Sequence, residues 1–282
     1  MPFSRVYLEI TNCCNLACSF CPGTTRRAAF LTVAQFTHLA GALRGQTRFL
    51  YFHVMGEPLL HPDLPELLDI AGRMGFRVVL TTNGTLLPKR QRELLAAQAL
   101  HKVSVSLHSF EANSGVDMEH YLAGCTDFGL AASEAGILID YRLWNLDGAE
   151  TRGRNEQNDA ILNHLHAAYP GNWTQNTWGW RLCDRTFIHY GEKFDWPSPD
   201  APDHGEAGTC RALRDQLAVL CDGMVVPCCL DGEGRIPLGN LLAQPLDEIL
   251  AAEPARSIAA GFALQKRLHP LCRRCGYAQR FR

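Results

Sequence analysis

Three cysteines near the start of the chain have a spacing suited to iron–sulfur chemistry. They are Cys14, Cys18 and Cys21, arranged as Cys-x3-Cys-x2-Cys. One short loop with this spacing can place three thiolates around a single inorganic cluster, and thiolates are the ligands that iron–sulfur clusters require. Three ligands leave one iron of a [4Fe–4S] cluster open, as a catalytic metal centre needs. The neighbouring Cys13 breaks the spacing and is predicted to take no part.

A second group of cysteines lies near the end of the chain: Cys210, Cys228, Cys272 and Cys275. Four thiols gathered from three places form a closed set, which suits either a structural zinc ion or an iron–sulfur cluster without an open iron. Both interpretations stay open at this point. Cys221 and Cys229 lie close enough in the sequence to replace a ligand, and Cys229 competes directly with Cys228.

The composition limits the class of protein. The chain has 282 residues, of which 12 are cysteine, 46% are hydrophobic and 20% are charged, and its net charge is −2. The N-terminus does not resemble a signal peptide and no apolar run reaches about 18 residues, so we expect a cytoplasmic protein that does not contact a membrane. In a reducing cytosol, clustered thiols bind metals rather than form disulfides. The balanced charge argues against nucleic acid as a partner. Cys125 and Cys183 are predicted to be buried structural thiols.

The elements that must position these residues alternate along the chain. Short apolar, β-rich runs are separated by helical patterns, and the runs cover residues 5–10, 48–55, 77–84, 102–109, 137–146 and 176–182. This alternation predicts a parallel sheet covered by helices. Six strand–helix steps are too few for a closed eight-stranded barrel. We therefore predict an α/β fold, a partial (β/α)6 TIM-like barrel, with a small C-terminal α+β iron–sulfur domain.

The predicted domain organisation follows from a change in composition. Residues 195–208 are rich in Pro, Asp and Gly and have no periodicity, which is typical of a linker. The barrel is predicted over 1–185, the linker over 186–209 and the small domain over 210–282. The first cysteine set follows the first strand, and parallel barrels build their active sites at the carboxyl ends of the strands.

The first set, with Phe20 directly before Cys21, resembles the Cys-x3-Cys-x-aromatic-Cys signature of the radical S-adenosylmethionine (SAM) superfamily. The segment that follows the second strand resembles the family's Gly-Gly-Glu-Pro turn, with Met55 in place of the first glycine. The resemblance implies a [4Fe–4S] cluster with an open iron that binds SAM. It also implies that the SAM ammonium group is received at Gly56, Glu57 and Pro58.

Three further positions match cofactor contacts of that family. Asn83 lies in the turn that closes the third strand, Ser106 lies late in the fourth strand, and Arg142 lies on the fifth. The resemblance implies that Ser106 bonds the ribose and that Arg142 pairs with the carboxylate of SAM. Taken singly, each position is also an ordinary turn or strand residue.

The C-terminal cysteines resemble the SPASM/twitch extension of radical SAM enzymes. No cysteines follow Cys275, so the resemblance favours the shorter, twitch-like form with one auxiliary [4Fe–4S] cluster, held by Cys210, Cys228, Cys272 and Cys275. The spacing is closest to that of the twitch-type alcohol dehydrogenase that oxidises 2-deoxy-scyllo-inosamine.

The resemblance implies reductive cleavage of SAM to a 5′-deoxyadenosyl radical, which abstracts a hydrogen from the substrate. An auxiliary cluster favours a two-electron oxidation, because it can accept the second electron. Glu9 and Arg142 are the predicted catalytic residues: Glu9 is the candidate proton acceptor, with a salt bridge to an arginine as the alternative. Asn145, Trp178, Trp180 and Arg181 are candidates for the substrate pocket.

The expected partners are a small-molecule or peptide substrate and a reductant such as flavodoxin or ferredoxin. Two other functions are compatible with the sequence. One is the maturation of a ribosomally made peptide by cross-linking, oxidation or epimerisation. The other, from a different class, is a non-catalytic iron–sulfur electron carrier or scaffold, which would have no use for a SAM site.

Overall fold

One open sheet of eleven strands runs through the described residues, 1–146 and 156–281, of the computed structural model. The strands are β1 (Arg5–Leu8), β2 (Phe49–Tyr51), β3 (Arg77–Thr82), β4 (Leu100–Ser106), β5 (Leu138–Leu146), β6 (Thr174–Asn176), β7 (Gly179–Arg181), β8 (Thr186–Glu192), β9 (Gln216–Val219), β10 (Met224–Val226) and β11 (Gly239–Asn240). Their spatial order is β11-β10-β9-β1-β2-β3-β4-β5-β8-β7-β6.

Five α-helices lie between the strands of the barrel in the described part of the chain, and three more follow the last strand of the sheet. They are α1 (Val33–Ala42), α2 (Leu64–Arg73), α3 (Leu87–Ala96), α4 (Met118–Glu134), α5 (Glu156–Ala168), α6 (Leu246–Ala251), α7 (Ala255–Ala263) and α8 (Pro270–Arg273). Local sequence sets their ends: Thr32 and Gln35 form a capping box at the start of α1, and Gly75 and Gly136 adopt positive φ shortly after α2 and α4.

The parallel part of the sheet confirms the predicted partial barrel. β1, β2, β3, β4, β5 and β8 pair in parallel in that order, and the two edges of the sheet do not meet. The outward residues of these strands are fully buried beneath the helices, as Leu50, Val103 and Tyr141 illustrate. On β5, for example, Tyr141 bonds the hydroxyl of Tyr169, so its neighbours Asp140 and Arg142 face the interior.

The prediction for the last strand of the barrel is wrong. Residues 176–182 do not form the sixth parallel strand, because β6 and β7 pair antiparallel in a hairpin. The sixth parallel strand is β8, which lies inside the predicted linker, so the predicted boundary at residue 185 is too early. β7 also pairs antiparallel with β8 and approaches it closely at Gly179, where a Cβ would lie 2.0 Å from the Ile188 carbonyl oxygen. That contact is between strands, and no pattern within 176–182 reveals it.

The C-terminal residues continue the same sheet. β9 pairs in parallel with β1, and β10 and β11 follow as antiparallel strands. The predicted hairpin turn at Asp222 and Gly223 is present, with Gly223 at φ +85°. Strands and helices alternate over this region, as expected for a small α+β domain.

The rest of the predicted linker packs between the barrel and the C-terminal region. The Trp196 indole donates a hydrogen bond to the Phe20 carbonyl oxygen at 2.9 Å, and the Gly276 amide donates to the Asp195 carbonyl oxygen at 3.0 Å. This segment therefore connects the first cysteine loop to the second cysteine set. Within the described residues, no helix is long and apolar enough to cross a membrane.

Candidate active site between two sets of thiols

The first three cysteines lie in the loop that joins β1 to α1. Asn12 holds the base of this loop: its Nδ2 donates to the Arg27 carbonyl oxygen, and its Oδ1 accepts from the Ala29 amide. Cys14 and Cys21 are exposed and Cys18 is half-buried. The loop thus presents its thiols at the carboxyl end of the sheet, as predicted.

These thiols act on one another electrostatically. Burial raises the pKa of Cys18 to about 12, and the charges of Cys14 and Cys21 add to the effect. Burial likewise raises the pKa of Cys14. Three mutually repelling thiolates suit a site that a positively charged iron core occupies, since ligand binding to metal displaces the thiol protons. The Cys13 thiol points elsewhere, towards the carbonyl oxygen of Ala29 at 3.9 Å.

The turn after β2 is pressed against the cysteine loop. Gly56 has φ +76°, and a Cβ there would lie 2.6 Å from the Thr11 carbonyl oxygen and 2.8 Å from that of Cys13. The Glu57 amide donates to the Cys13 carbonyl oxygen at 2.7 Å. Only glycine fits this position, because any Cβ would collide with the backbone of the cysteine loop.

The Glu57 carboxylate joins two of the predicted cofactor turns. It is buried and accepts hydrogen bonds from the Leu59 amide at 3.0 Å and the Asn83 amide at 2.7 Å. Burial raises the pKa of Glu57 to about 7, against the effect of these two bonds. Pro58 begins the short 3₁₀ helix Pro58–Leu60 that carries the chain away from the site.

Asn83 directly follows β3, Ser106 ends β4 and Arg142 lies in the middle of β5. Asn83 Nδ2 donates to Asn15 Oδ1 at 2.9 Å and lies 3.9 Å from the Cys14 sulfur. Ser106 is the register partner of Arg142. Phe20 packs on His108 at 4.7 Å between ring centroids, on the same side of the site.

Arg142 is a cation inside the barrel with unused hydrogen-bonding capacity. Its guanidinium stacks on Trp144 at 3.6 Å, and its buried Nε has no hydrogen-bond partner among the described residues. Burial lowers the pKa of His53 and His108 to about 3, and the positive charge of Arg142 adds to both shifts. A buried guanidinium with a free N–H fits an anionic group, such as the carboxylate of SAM or of a substrate.

The structure does not support Glu9 as a proton acceptor. Its fully buried carboxylate pairs with Arg26 Nη2 at 2.7 and 2.8 Å and also accepts the backbone N–H groups of Met55 and Cys221. The predicted alternative, a salt bridge to an arginine, is what the structure contains. Arg26 Nε also donates to the Gly232 carbonyl oxygen at 2.8 Å, so this pair ties the first cysteine loop to the C-terminal region.

Sequence reasoning missed a histidine–aspartate pair on the inner face of the barrel. His189 on β8 lies opposite Arg142, and its Nδ1 is 2.6 Å from Asp140 Oδ1. Lys102 Nζ is 2.8 Å from the other oxygen of Asp140. Burial would raise the pKa of Asp140, but the hydrogen bond from His189 and the charge of Lys102 outweigh it and lower that pKa. Both partners sit in strands whose pairing the sequence does not reveal.

Asn145, Trp178 and Arg181 do not line the interior, and Trp180 packs, partly buried, against the hydrophobic core. Trp178 is 67% exposed at the β6–β7 hairpin, and Arg181 forms an exposed ion pair with Asp184. Asn145 is buried and exchanges side-chain hydrogen bonds with Asn158 on α5. These residues support the sheet edge and the helix layer.

The four C-terminal thiols, Cys210, Cys228, Cys272 and Cys275, line one cavity. Burial raises the pKa of Cys228 well above its usual value, and the charges of the other three thiols contribute. Cys229 does not line this cavity and packs instead against the small apolar cluster that contains Tyr7, so the ambiguity falls in favour of Cys228. Cys221 is engaged by Arg26 at 3.7 Å.

The remaining thiols differ from each other. Cys125 is buried beneath Gly84, as predicted, whereas Cys183 is exposed beside Ser133, so its predicted burial is wrong. Within the described residues, no three His, Cys, Asp or Glu side chains are gathered as ligands of a single metal ion. The thiolates of a [4Fe–4S] cluster bind separate irons and need not meet at one point.

Family models match both halves of this site. The radical SAM superfamily model matches residues 8–124, and the SPASM iron–sulfur cluster-binding domain model matches residues 210–276. The chain therefore contains a radical SAM domain and a SPASM domain. The radical SAM domain implies a [4Fe–4S] cluster and SAM, and the SPASM domain implies auxiliary iron–sulfur clusters.

Curated relatives of this radical SAM enzyme differ in function. It is 30% identical over 146 residues to the tungsten-containing aldehyde ferredoxin oxidoreductase cofactor-modifying protein of Pyrococcus furiosus, a match covering 49% of this chain and 38% of that one. It is 34% identical over 112 residues to the PqqA peptide cyclase of Streptomyces rochei, covering 38% of this chain and 30% of that one. The chain thus spans about a third of the length of these relatives.

Solved structures share the fold over nearly the whole chain. BtrN in complex with AdoMet and 2-DOIA superposes with a TM-score of 0.62 at 18% identity, covering 97% of this chain and 92% of that one. Streptococcus suis SuiB bound to its precursor peptide SuiA has a TM-score of 0.64 at 13% identity, covering 98% of this chain and 72% of that one. At these identities the likeness establishes the fold.

Proposed function

We propose that this radical SAM enzyme is a cytoplasmic oxidoreductase that removes two electrons from a small molecule carrying a secondary alcohol. The observation that carries the proposal is the closed second set of thiols. Cys210, Cys228, Cys272 and Cys275 line one cavity, so a single twitch-type auxiliary cluster held there has a protein ligand for each iron. Such a cluster suits electron transfer better than substrate coordination. A flavodoxin or ferredoxin is the reductant we propose.

When bound, the first cluster and SAM would supply the radical chemistry that removes a hydrogen atom from the alcohol carbon, and the auxiliary cluster would provide the acceptor for the second electron. The chain holds the first cluster through Cys14, Cys18 and Cys21. Gly56, Glu57, Pro58, Asn83, Ser106 and Phe20 surround SAM in the proposal.

The protein must also accept the hydroxyl proton, and His189 is the proposed acceptor. With Nδ1 held by Asp140 at 2.6 Å, the imidazole presents Nε2 to the interior as the basic nitrogen. Arg142, on the neighbouring strand, orients an anionic or hydroxyl group of substrate or SAM. Loss of the hydrogen atom, the proton and the electron together converts the alcohol to a ketone.

The test uses anaerobically reconstituted protein with dithionite, SAM and a panel of aminocyclitols, each deuterated at a single carbinol carbon. The panel includes the amino alcohol related to 2-DOIA. We expect deuterium in 5′-deoxyadenosine and a product two mass units lighter than the unlabelled substrate. His189→Gln should retain deoxyadenosine formation and lose the ketone, while His101→Gln, at the other end of the sheet, should behave like wild type. A product of unchanged oxidation state would overturn the proposed oxidation.

Peptide maturation is the second candidate function, favoured by the match to PqqA peptide cyclase and the likeness to SuiB bound to SuiA. The same reaction mixtures with precursor peptides in place of aminocyclitols separate the two functions. Modified peptide, with no aminocyclitol oxidised, would favour maturation.

A further inference from the structure

Arg267 is a fully buried arginine without a carboxylate partner among the described residues. It lies between α7 and α8, is 2% exposed, and its Nε and Nη1 have no hydrogen-bond partner in the described part of the chain. Its Nη2 donates to the Ala207 carbonyl oxygen. Burying a guanidinium is unfavourable unless charge or hydrogen bonds compensate it, so its two unused N–H groups need acceptors.

The surroundings of Arg267 identify those acceptors. Arg267 lines the same cavity as Cys210, Cys228, Cys272 and Cys275. The cavity also contains Asp231, whose two oxygens accept the Arg235 and Ile236 amides at 2.8 Å each, and no hydrogen bond from Arg267 reaches it in the described part of the chain. The sulfur atoms of the site are therefore the acceptors that remain.

The backbone of residues 206–208 holds the guanidinium in place. The Arg267 amide donates to the Glu206 carbonyl oxygen at 2.7 Å. Gly208 has φ +125°, and a Cβ there would lie 2.3 Å from Arg267 Nη2 and 2.8 Å from Nε. The space beside Gly208 thus accommodates a planar guanidinium next to the thiol set. The more compact, more strongly hydrated ammonium group of a lysine would not fill this space.

We propose that Arg267 donates N–H···S hydrogen bonds to the auxiliary cluster and raises its reduction potential. A four-thiolate cluster carries net negative charge, and each added electron increases it. A fixed cation and hydrogen bonds to sulfur stabilise the reduced state more than the oxidised state. Arg267 is thus a tuning residue that makes the auxiliary cluster a better electron acceptor. The proposal rests on the auxiliary cluster alone and does not require the substrate oxidation proposed above.

The test is a redox titration of the full-length protein, followed by electron paramagnetic resonance. In a Cys14/Cys18/Cys21→Ala background only the auxiliary cluster gives a signal. At a fixed ambient potential, Arg267→Gln should lower the ratio of reduced to oxidised cluster about tenfold, equivalent to about 59 mV for one electron. The exchangeable-proton couplings of the reduced cluster in deuterium oxide should weaken in the same variant.

Arg211→Gln is the matched control. Arg211 follows the ligand Cys210 directly, but its side chain is 50% exposed and lies 4.0 Å from Asp215, so its charge is screened and the potential should stay at the wild-type value. Arg267→Gln with full iron content and a wild-type potential would overturn the proposal. If Arg267→Gln loses iron, Arg267→Lys decides: unchanged exchangeable-proton couplings in that variant would equally refute it.

Discussion

The two sets of thiols differ in how the fold presents them. Cys14 and Cys21 are exposed in a single loop, whereas Cys210, Cys228, Cys272 and Cys275 come from three segments and meet in one cavity, with Cys275 only 8% exposed. A local loop with three ligands leaves room for a reacting molecule at the metal. A closed pocket with four ligands would exclude such a molecule, which suits the electron transfer proposed above. Cysteine can therefore serve two kinds of chemistry in one protein, and the number of ligands that surround the cluster makes the difference.

Removing one ligand from each set should produce the largest contrast. We expect Cys18→Ala to abolish 5′-deoxyadenosine formation from SAM and dithionite, because the iron that binds SAM is lost. Cys272→Ala should still form deoxyadenosine while losing about four irons per chain. Chromatography of the nucleoside and an iron assay give both readouts, with the exposed Cys183→Ala as control. Equal loss of deoxyadenosine in both ligand variants would refute the division of roles.

The next largest effect should follow from breaking the connection between the two regions. Arg26→Gln leaves the buried Glu9 carboxylate without its counter-ion and should lower the free energy of unfolding by about 3–5 kcal/mol. Anaerobic urea unfolding measures it. Arg181→Gln, which removes an exposed ion pair, should change the value by less than about 1 kcal/mol. If both variants unfold at the same urea concentration, the Glu9–Arg26 pair does not join the two regions energetically.

Chelation should distinguish the sets without any substitution. Iron held by the exposed thiols of the first loop should be released about tenfold faster than iron held in the cavity. Movement of one loop is enough to release it, whereas the cavity must open first. The absorbance of an iron–chelator complex, measured over time, should rise in two phases in wild type. The fast phase should be absent in the Cys14/Cys18/Cys21→Ala protein. A single phase in wild type would mean that the two sets are equally protected.

The smallest effect concerns pH and the barrel interior between the sets. Burial, with the charge of Arg142, lowers the pKa of His53 from 6.5 to about 3, so the unfolded chain binds a proton there before the folded one does. Stability from this group is present above pH 6.5 and is lost as the pH falls towards 3. Between pH 6.5 and 5, wild type should lose about 2 kcal/mol of stability through His53, and His53→Gln should not show this loss. His38→Gln, exposed on α1, should follow wild type; a wild-type pH slope in His53→Gln would count against the prediction.

The sequence predicted what depends on short spacing. Cys14, Cys18 and Cys21 belong to one loop, and the alternation of strands and helices gave the parallel barrel. It failed where partners are distant. Glu9 was misassigned because Met55, Cys221 and Arg26 meet it only in the folded chain.

Two further residues show the same limit. Cys228 and Cys229 are adjacent, and adjacent residues point in different directions, so the ligand could be chosen only once Tyr7 was placed beside Cys229. Arg267 has no motif at all. Its importance comes from residues 206–208 and from thiols spread over more than sixty positions, which only the three-dimensional arrangement brings together.

The pairing of β9 with β1 has a consequence for how the protein is made. Ser4 hydrogen-bonds Asp215, 211 residues later in the chain, and Arg5 pairs with Gln216. At ribosomal rates the first strand waits roughly 10–40 s for that neighbour. Until then a nascent barrel carries an unpaired edge at β1 and a cysteine loop that lacks the support of Arg26 on Gly232. Cluster insertion into the first loop is therefore expected only after the chain has emerged as far as residue 232.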